Sequence, residues 1–300
     1  MNALEKLALQ AFRTKTALPK NIEPTDENVL KVILQIALMA GEMIRESRFK
    51  PDRLNVSHKS DNSPVSNIDT IVEEMIKGSL KAVFPQWGFL GEETGGDLEQ
   101  AITTVAVDPI DGTWSFLTHD TTSAFSLSVF QNKKVALGVV LNPSTGELGY
   151  AQNQETTRLI QLNMFGEDDL ARILPSLYYP KENTLVNIQP ASGHRELENA
   201  LKDAWDKKEL KFVKSMGGSP ANALLEVAKG HFSYIHPWQI HPTTPYDIAA
   251  GIKLVENAGG KVVDTNGNRI HEVGHTGTFI ASINLDHQEK ILKILNGSQS

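Results

Sequence analysis

The chain has 300 residues, 40% of them hydrophobic and 22% charged, with a formal net charge of −7. That length supports a sizeable core in one large or two modest domains, and the acidic balance argues against broad nucleic-acid or anionic-membrane binding. The absence of cysteine excludes disulfides, thiolate metal sites and cysteine nucleophiles.

Residues 1–24 read as an N-terminal appendage, a short amphipathic piece followed by the breakers Pro19 and Pro24. Charges interrupt its apolar positions, so it lacks a signal-peptide core, and no apolar run reaches the roughly 18 residues of a membrane span. The expectation is a cytoplasmic protein with no membrane partner. Thr25-Asp26-Glu27 is set to cap a helix whose Val29, Val32, Ile33, Ile36, Met39, Met43 and Ile44 follow helical spacing. A second helix is predicted from about Asp69 to Val83, and short strands near 88–91 and 104–108, the latter stopped by Pro109. From 124 to 162 the pattern is β, with Phe125, Leu127 and Val129 alternating with Ser126 and Ser128, and a turn at 142–146. Strands at 184–188, 210–214, 231–235, 261–264 and 278–281 then alternate with helices at about 194–207, 219–229, 246–258 and 285–296. These patterns predict layered α+β and α/β structure, divided into an N-terminal α+β subdomain (25–183) and a C-terminal α/β subdomain (184–300).

Residues 105–116, Val-Ala-Val-Asp-Pro-Ile-Asp-Gly-Thr-Trp-Ser-Phe, carry the densest chemistry. Asp108 and Asp111 on one tight turn repel each other unless a cation lies between them, and a divalent ion supplies it. Gly112 lets backbone N–H groups approach an anion, and Thr113 adds a hydroxyl. Taken alone, such a turn is also read as a surface Asx turn. Three further segments bring carboxylates to the ends of distant elements: Lys59-Ser60-Asp61-Asn62-Ser63-Pro64-Val65-Ser66-Asn67-Ile68-Asp69, then Gly91-Glu92-Glu93, then Pro245-Tyr246-Asp247-Ile248-Ala249-Ala250-Gly251 followed by Glu256-Asn257-Ala258-Gly259-Gly260. Asp69 and Asp247 each have a plainer role as helix caps, and Glu92 and Glu93 as loop charges. Together the four segments read as one metal site.

These segments resemble, in type and order, the signatures of the inositol monophosphatase superfamily of magnesium-dependent, lithium-sensitive phosphatases. The resemblance implies an α-β-α-β-α sandwich, a homodimer, and a phosphate monoester hydrolase acting on a small phosphorylated metabolite. Inositol monophosphate is the first substrate it suggests. Fructose 1,6-bisphosphate, histidinol phosphate and 3′-phosphoadenosine-5′-phosphate are alternatives, as is a non-catalytic binding or regulatory protein on the same fold. It also implies two to three Mg²⁺ ions. Asp108 would bridge two of them, Glu92 and the Ile110 carbonyl completing the first site and Asp111 and Asp247 the second, with Asp69 and Glu92 holding a weaker third through water. Most of these ligands fall in the N-terminal subdomain, and Asp247 of the C-terminal one completes the site. Glu92 and Thr113 would orient the attacking water, the Gly112, Thr113 and Trp114 amides would cradle phosphate, and Gly218, Ser219 and Asp247 would face the leaving alcohol.

Two departures from the inositol-type pattern bear on substrate. The acidic residue that the family typically carries seven positions before the last aspartate falls here on Ile240, and no Asp or Glu lies between 231 and 246. The family's Gly-Thr-Ala-Ala segment is Gly217-Gly218-Ser219-Pro220. Specificity is therefore expected to lie in 217–220 and 236–246, with His236, Gln239 or His241 as replacement contacts from a loop. His271-Glu272-Val273-Gly274-His275 matches a zincin string, but that motif needs a helix, and the glycines within and around it argue for a turn.

Overall fold

The computed structural model describes residues 1–50, 54–59, 64–99, 101–162, 171–173, 185–189, 195–215, 217–237 and 243–297. Its elements in chain order are α1 (Ala3–Arg13), α2 (Asp26–Arg48), β1 (Val56–His58), β2 (Pro64–Ser66), α3 (Asn67–Val83), β3 (Gly88–Gly91), β4 (Gly95–Gly96), β5 (Thr103–Asp111), α4 (Thr113–Leu117), β6 (Ala124–Gln131), β7 (Lys134–Asn142), β8 (Glu147–Gln152), β9 (Arg158–Leu162) and β10 (Ala171–Ile173). Then follow β11 (Leu185–Ile188), α5 (Arg195–Asp206), β12 (Phe212–Ser215), α6 (Pro220–Ala228), β13 (Ser233–His236), α7 (Pro245–Asn257), β14 (Lys261–Asp264), β15 (Phe279–Ser282) and α8 (Leu285–Gly297).

An eight-stranded sheet runs in the order β10-β9-β8-β7-β6-β5-β3-β4, antiparallel except where β3 meets β5. A five-stranded sheet runs β12-β11-β13-β15-β14. α2 and α3 cover one face of the large sheet, α6 and α7 fill the space between the two sheets, and α5 and α8 cover the far side of the small sheet. This is an α-β-α-β-α sandwich, as the resemblance implies. Each gap between layers holds its own apolar cluster. The helices of the middle layer lie close because Gly251 has no side chain: a Cβ there would fall 2.5 Å from the Leu224 Cβ. The residues set apart as an appendage begin with α1, whose Ala8 and Leu9 are buried in the same cluster as α2. Buried Glu5 ties α1 to the large sheet, accepting hydrogen bonds from Tyr150 Oη at 2.7 Å and Arg158 Nε at 3.0 Å.

Pro109 does not end its strand. β5 continues to Asp111, and its pairing with β6 breaks register only between Asp108↔Ser126 and Asp111↔Ala124. A proline lacks an N–H for the ladder, so the strand passes it as a bulge. α4 and the β1–β2 pair are short, with few apolar positions to set a period in the sequence.

Candidate active site

Three aspartates from two sheet positions and one helix converge. β5 delivers Asp108 and Asp111, both buried, and α7 delivers Asp247 as its third residue. One carboxylate oxygen from each lies within 4.8 Å of the other two. They open onto a cleft of about 500 Å³ whose walls include Glu92, Thr113, Trp114, Gly218, His236 and Tyr246.

Each aspartate is fixed by backbone donors at an element end. Asp108 Oδ1 accepts from the Ile110 amide at 2.9 Å. Asp111 Oδ2 accepts from the Ala221 amide at 2.7 Å and from the Ser219 hydroxyl, so it faces the N-terminus of α6 and its favourable dipole end. Asp247 Oδ2 accepts from the Thr244 amide at 3.2 Å. Asp69 is fully buried and does the same on α3, where the Ser66 amide and hydroxyl donate to its Oδ2 at 3.0 and 2.6 Å. Ser66-x-x-Asp69 and Thr244-x-x-Asp247 are thus reciprocal caps. Capping and site roles coincide in both.

Glu92 follows β3, in a turn braced by buried Glu73, which accepts from the Glu93 and Thr94 amides at 2.9 and 2.8 Å. Lys59 Nζ donates to Glu92 at 2.7 Å and Glu93 at 2.8 Å. Neither Glu73's brace nor Ser219's bond to Asp111 is visible in the sequence as a contact. Ser219-Pro220 with Asn222 does have the pattern of a helix start, and the Asn222 amide donates to Ser219 Oγ at 2.8 Å. Thr113 Oγ1 donates to the Ile110 carbonyl at 3.2 Å. Gly112 sits at φ +82 as the N-cap of α4, and a Cβ there would lie 2.9 Å from the Ser219 amide nitrogen. Only glycine fits both the left-handed backbone and that approach. Trp114 is 60% exposed at the rim.

The electrostatics are those of anions short of a counter-charge. Burial, then Glu92, Asp111 and Asp247, raises the Asp108 carboxyl well above its ordinary range. Burial and then Asp247 do the same to Asp111. Burial pushes Asp247 up to about 6 and Asp69 up to about 7, against the hydrogen bonds from Thr244 and Ser66. A cation among them would relieve this, and the donor set is all oxygen, as hard divalent ions require.

His236, expected in a loop, ends β13 instead. It is buried, stacks on Phe279 with ring centroids 5.0 Å apart, and its Nδ1 lies 2.7 Å from Tyr234 Oη. Ser60 to Ser63, Gln239, Ile240 and His241 lie outside the described residues. The 271–275 segment is not helical, and Glu272 pairs with Arg269, so the zincin geometry is absent.

The sequence model of the Inositol monophosphatase family matches residues 25–300. Inositol monophosphatase 2 of Solanum lycopersicum is 28% identical over 280 residues, covering 91% of this chain and 100% of that one. Nus factor SuhB of Pasteurella multocida is 28% identical over 259 residues, covering 85% and 91%. Among solved structures, the Thermotoga maritima IMPase superposes with a TM-score of 0.71 at 25% identity, covering 92% of this chain and 98% of that one.

Proposed function

Because this chain belongs to the inositol monophosphatase family, we propose that it is a magnesium-dependent phosphate monoesterase acting on a small phosphorylated metabolite. The observation that carries this reading is the approach of Asp108, Asp111 and Asp247 to within 4.8 Å in one cleft, beside a glycine turn. Asp108, Asp111, Asp247, Glu92 and the Ile110 carbonyl would hold two Mg²⁺ ions. Asp69, whose Oδ1 is buried without a hydrogen-bond partner, would hold a third through water. Bound there, magnesium supplies a polarised water near neutral pH and neutralises phosphoryl oxygens.

The chain's own groups do the rest. The amides of Gly112, Thr113 and Trp114 bind the phosphate oxygens. Glu92 and Thr113 hold the attacking water, with Glu92 accepting its proton. Lys59 keeps Glu92 in place through its 2.7 Å bond. Ser219 positions Asp111, and Gly218 and Asp247 face the leaving alcohol. Inositol monophosphate is the first substrate to test. A sugar bisphosphate, histidinol phosphate and 3′-phosphoadenosine-5′-phosphate follow, because the acidic hydroxyl reader is missing from 231–246 and polar readers discriminate by orders of magnitude. Lithium sensitivity, a homodimer and a cytoplasmic location belong to the same proposal. Phosphate release is to be measured across that panel with Mg²⁺ or with EDTA. Turnover that needs Mg²⁺ supports the reading. No turnover on any member would favour a binding role, the class that similarity to a Nus factor raises.

A further inference from the structure

α4 is too short to hold itself. Helices below about 12–15 residues are marginal on their own, and α4 has five, Thr113–Leu117, the first of which carry amides assigned to the phosphate. Its orientation therefore comes from what grips its two ends. In front, Ser219 confines the Gly112 turn. Behind, residues 118–123 join α4 to β6, and three successive carbonyls of that joint are each held by a different part of the fold. Asp120 O accepts from Arg48 Nη2 at 2.8 Å, Thr121 O from Asn142 Nδ2 at 2.7 Å, and Thr122 O from the Ser219 amide at 3.1 Å. The joint is tied forward to α4 as well: the Asp120 amide donates to Ser115 O at 2.8 Å, and Thr122 Oγ1 to Ser115 Oγ at 3.0 Å.

Arg48 is the member of this clamp that local sequence does not explain. It is the last residue of α2, a helix that contributes nothing to the lining of the cleft. A basic residue in the last turn of a helix complements the dipole from the surface. Arg48 is buried instead, and its guanidinium reaches 72 and 96 positions along the chain, Nη2 to Asp120 O and Nη1 to Ser144 Oγ. Its Cζ lies 5.8 Å from the ring centroid of Phe116, the buried aromatic of α4. Ser144 stands in the turn between β7 and β8, whose Ser144 and Thr145 amides donate to Asn142 Oδ1 at 2.9 and 3.0 Å. Asn142 Nδ2 continues to Asn222 Oδ1 of α6 at 2.9 Å. One guanidinium thus ties the end of α2 to the joint behind α4 and to the turn that braces α6. Holding two separate acceptors takes a planar fork of fixed donors, which lysine lacks.

We propose that Arg48 is a positioning residue, which fixes the joint behind α4 and so the placement of the Gly112, Thr113 and Trp114 amides around the phosphate, without touching substrate or metal. The inference rests on the phosphatase reading above. It is tested on the whole chain with Mg²⁺, using p-nitrophenyl phosphate as substrate and inorganic phosphate as inhibitor. Arg48→Lys keeps the charge and loses the fork; it should raise the Ki of phosphate about ten-fold and lower kcat/KM by about ten- to a hundred-fold. The gain in Tm on adding Mg²⁺ without phosphate should stay as in the wild type, since the clamp acts on the amides and not on the carboxylates. Arg48→Ala should lose more, and millimolar guanidinium should restore part of its phosphate affinity where methylammonium does not. A purely structural residue would lower Tm and the amount of active enzyme but leave KM and the phosphate Ki of the folded remainder unchanged, and that result would overturn the proposal. Equal rescue by methylammonium would overturn it too, since charge and not the fork would then be what matters. Should both variants fail to fold, Ser144→Ala, which removes one acceptor of the fork and keeps the turn's bonds to Asn142, decides by the same Ki. A wild-type chain that neither hydrolyses the ester nor binds phosphate would refute the phosphatase reading and this inference together, whereas an active wild type with an unaltered folded Arg48→Lys refutes the inference alone.

Discussion

Asp111 is the residue in which structure and chemistry are most tightly joined, because the Ser219 hydroxyl and Ala221 amide that fix it also start α6. Asp111→Asn keeps an oxygen acceptor for both donors but removes a buried negative charge. The variant should fold, its metal-free Tm should rise, and its gain in Tm on adding Mg²⁺ should shrink, with kcat/KM lower by orders of magnitude. A folded Asp111→Asn protein with near-wild-type turnover would refute the two-ion assignment. Much at this scale is legible in sequence. Asp108, Asp111 and Asp247 stand in short rigid strings whose spacing dictates their placement. Ser219 is different, because its bond to Asp111 joins positions 108 apart in sequence, and nothing local encodes that meeting. The place of His236 is illegible locally for a related reason: its burial depends on Phe279, a neighbour supplied by another strand.

α6 and α7 form a layer apolar on both sides, and its tolerance of volume is correspondingly low. In Gly251→Val the branched side chain would enter the space of Leu224, and overpacking of this kind costs about 1–3 kcal/mol. Thermal unfolding should show that loss, and activity should fall with it, since α7 carries Asp247 and α6 begins at Ser219. Little or no change in Tm would mean that the two helices can separate freely. At the far side of the small sheet, His287 of α8 is buried with Nδ1 2.9 Å from Ser233 Oγ. Burial, with Lys290 nearby, depresses it to about 4 from an ordinary 6.5. The unfolded chain therefore binds the proton first, so the contribution of His287 to stability is complete above about pH 6.5 and is lost as pH falls toward 4, by roughly 3 kcal/mol. His287→Gln should flatten that part of the stability–pH curve, as denaturant melts at several pH values would reveal. The long helices and strands were readable because each carries a sustained apolar period with caps. α4 was not, since five residues give no period and its start rests on the φ of Gly112.

The molecule as a whole gathers acidic side chains that its own cations do not balance. Asp108, Asp111, Asp247 and Asp69 are all raised, so the native state without metal holds protons that the unfolded chain has released. The contribution of these carboxylates to the stability of the metal-free protein is then greatest at low pH and is lost as pH rises through about 6 to 7. A divalent ion bound at the proposed site would replace those protons, with an affinity that grows with pH. The difference in Tm between Mg²⁺-treated and EDTA-treated protein should accordingly widen from pH 5.5 to pH 8; a constant difference would argue against metal binding at these carboxylates. The layered order adds a consequence in time. β5 leaves the ribosome with Asp108 and Asp111, whereas Asp247 comes on a helix that must insert between two sheets, the second not yet made. At roughly 5–20 residues per second, the nascent chain spends seconds with two of the three aspartates in hand and no place for the third. Capture of the proposed metal would therefore be a late event of biogenesis, and a chain whose synthesis stops before α7 is born without the third aspartate of its cluster.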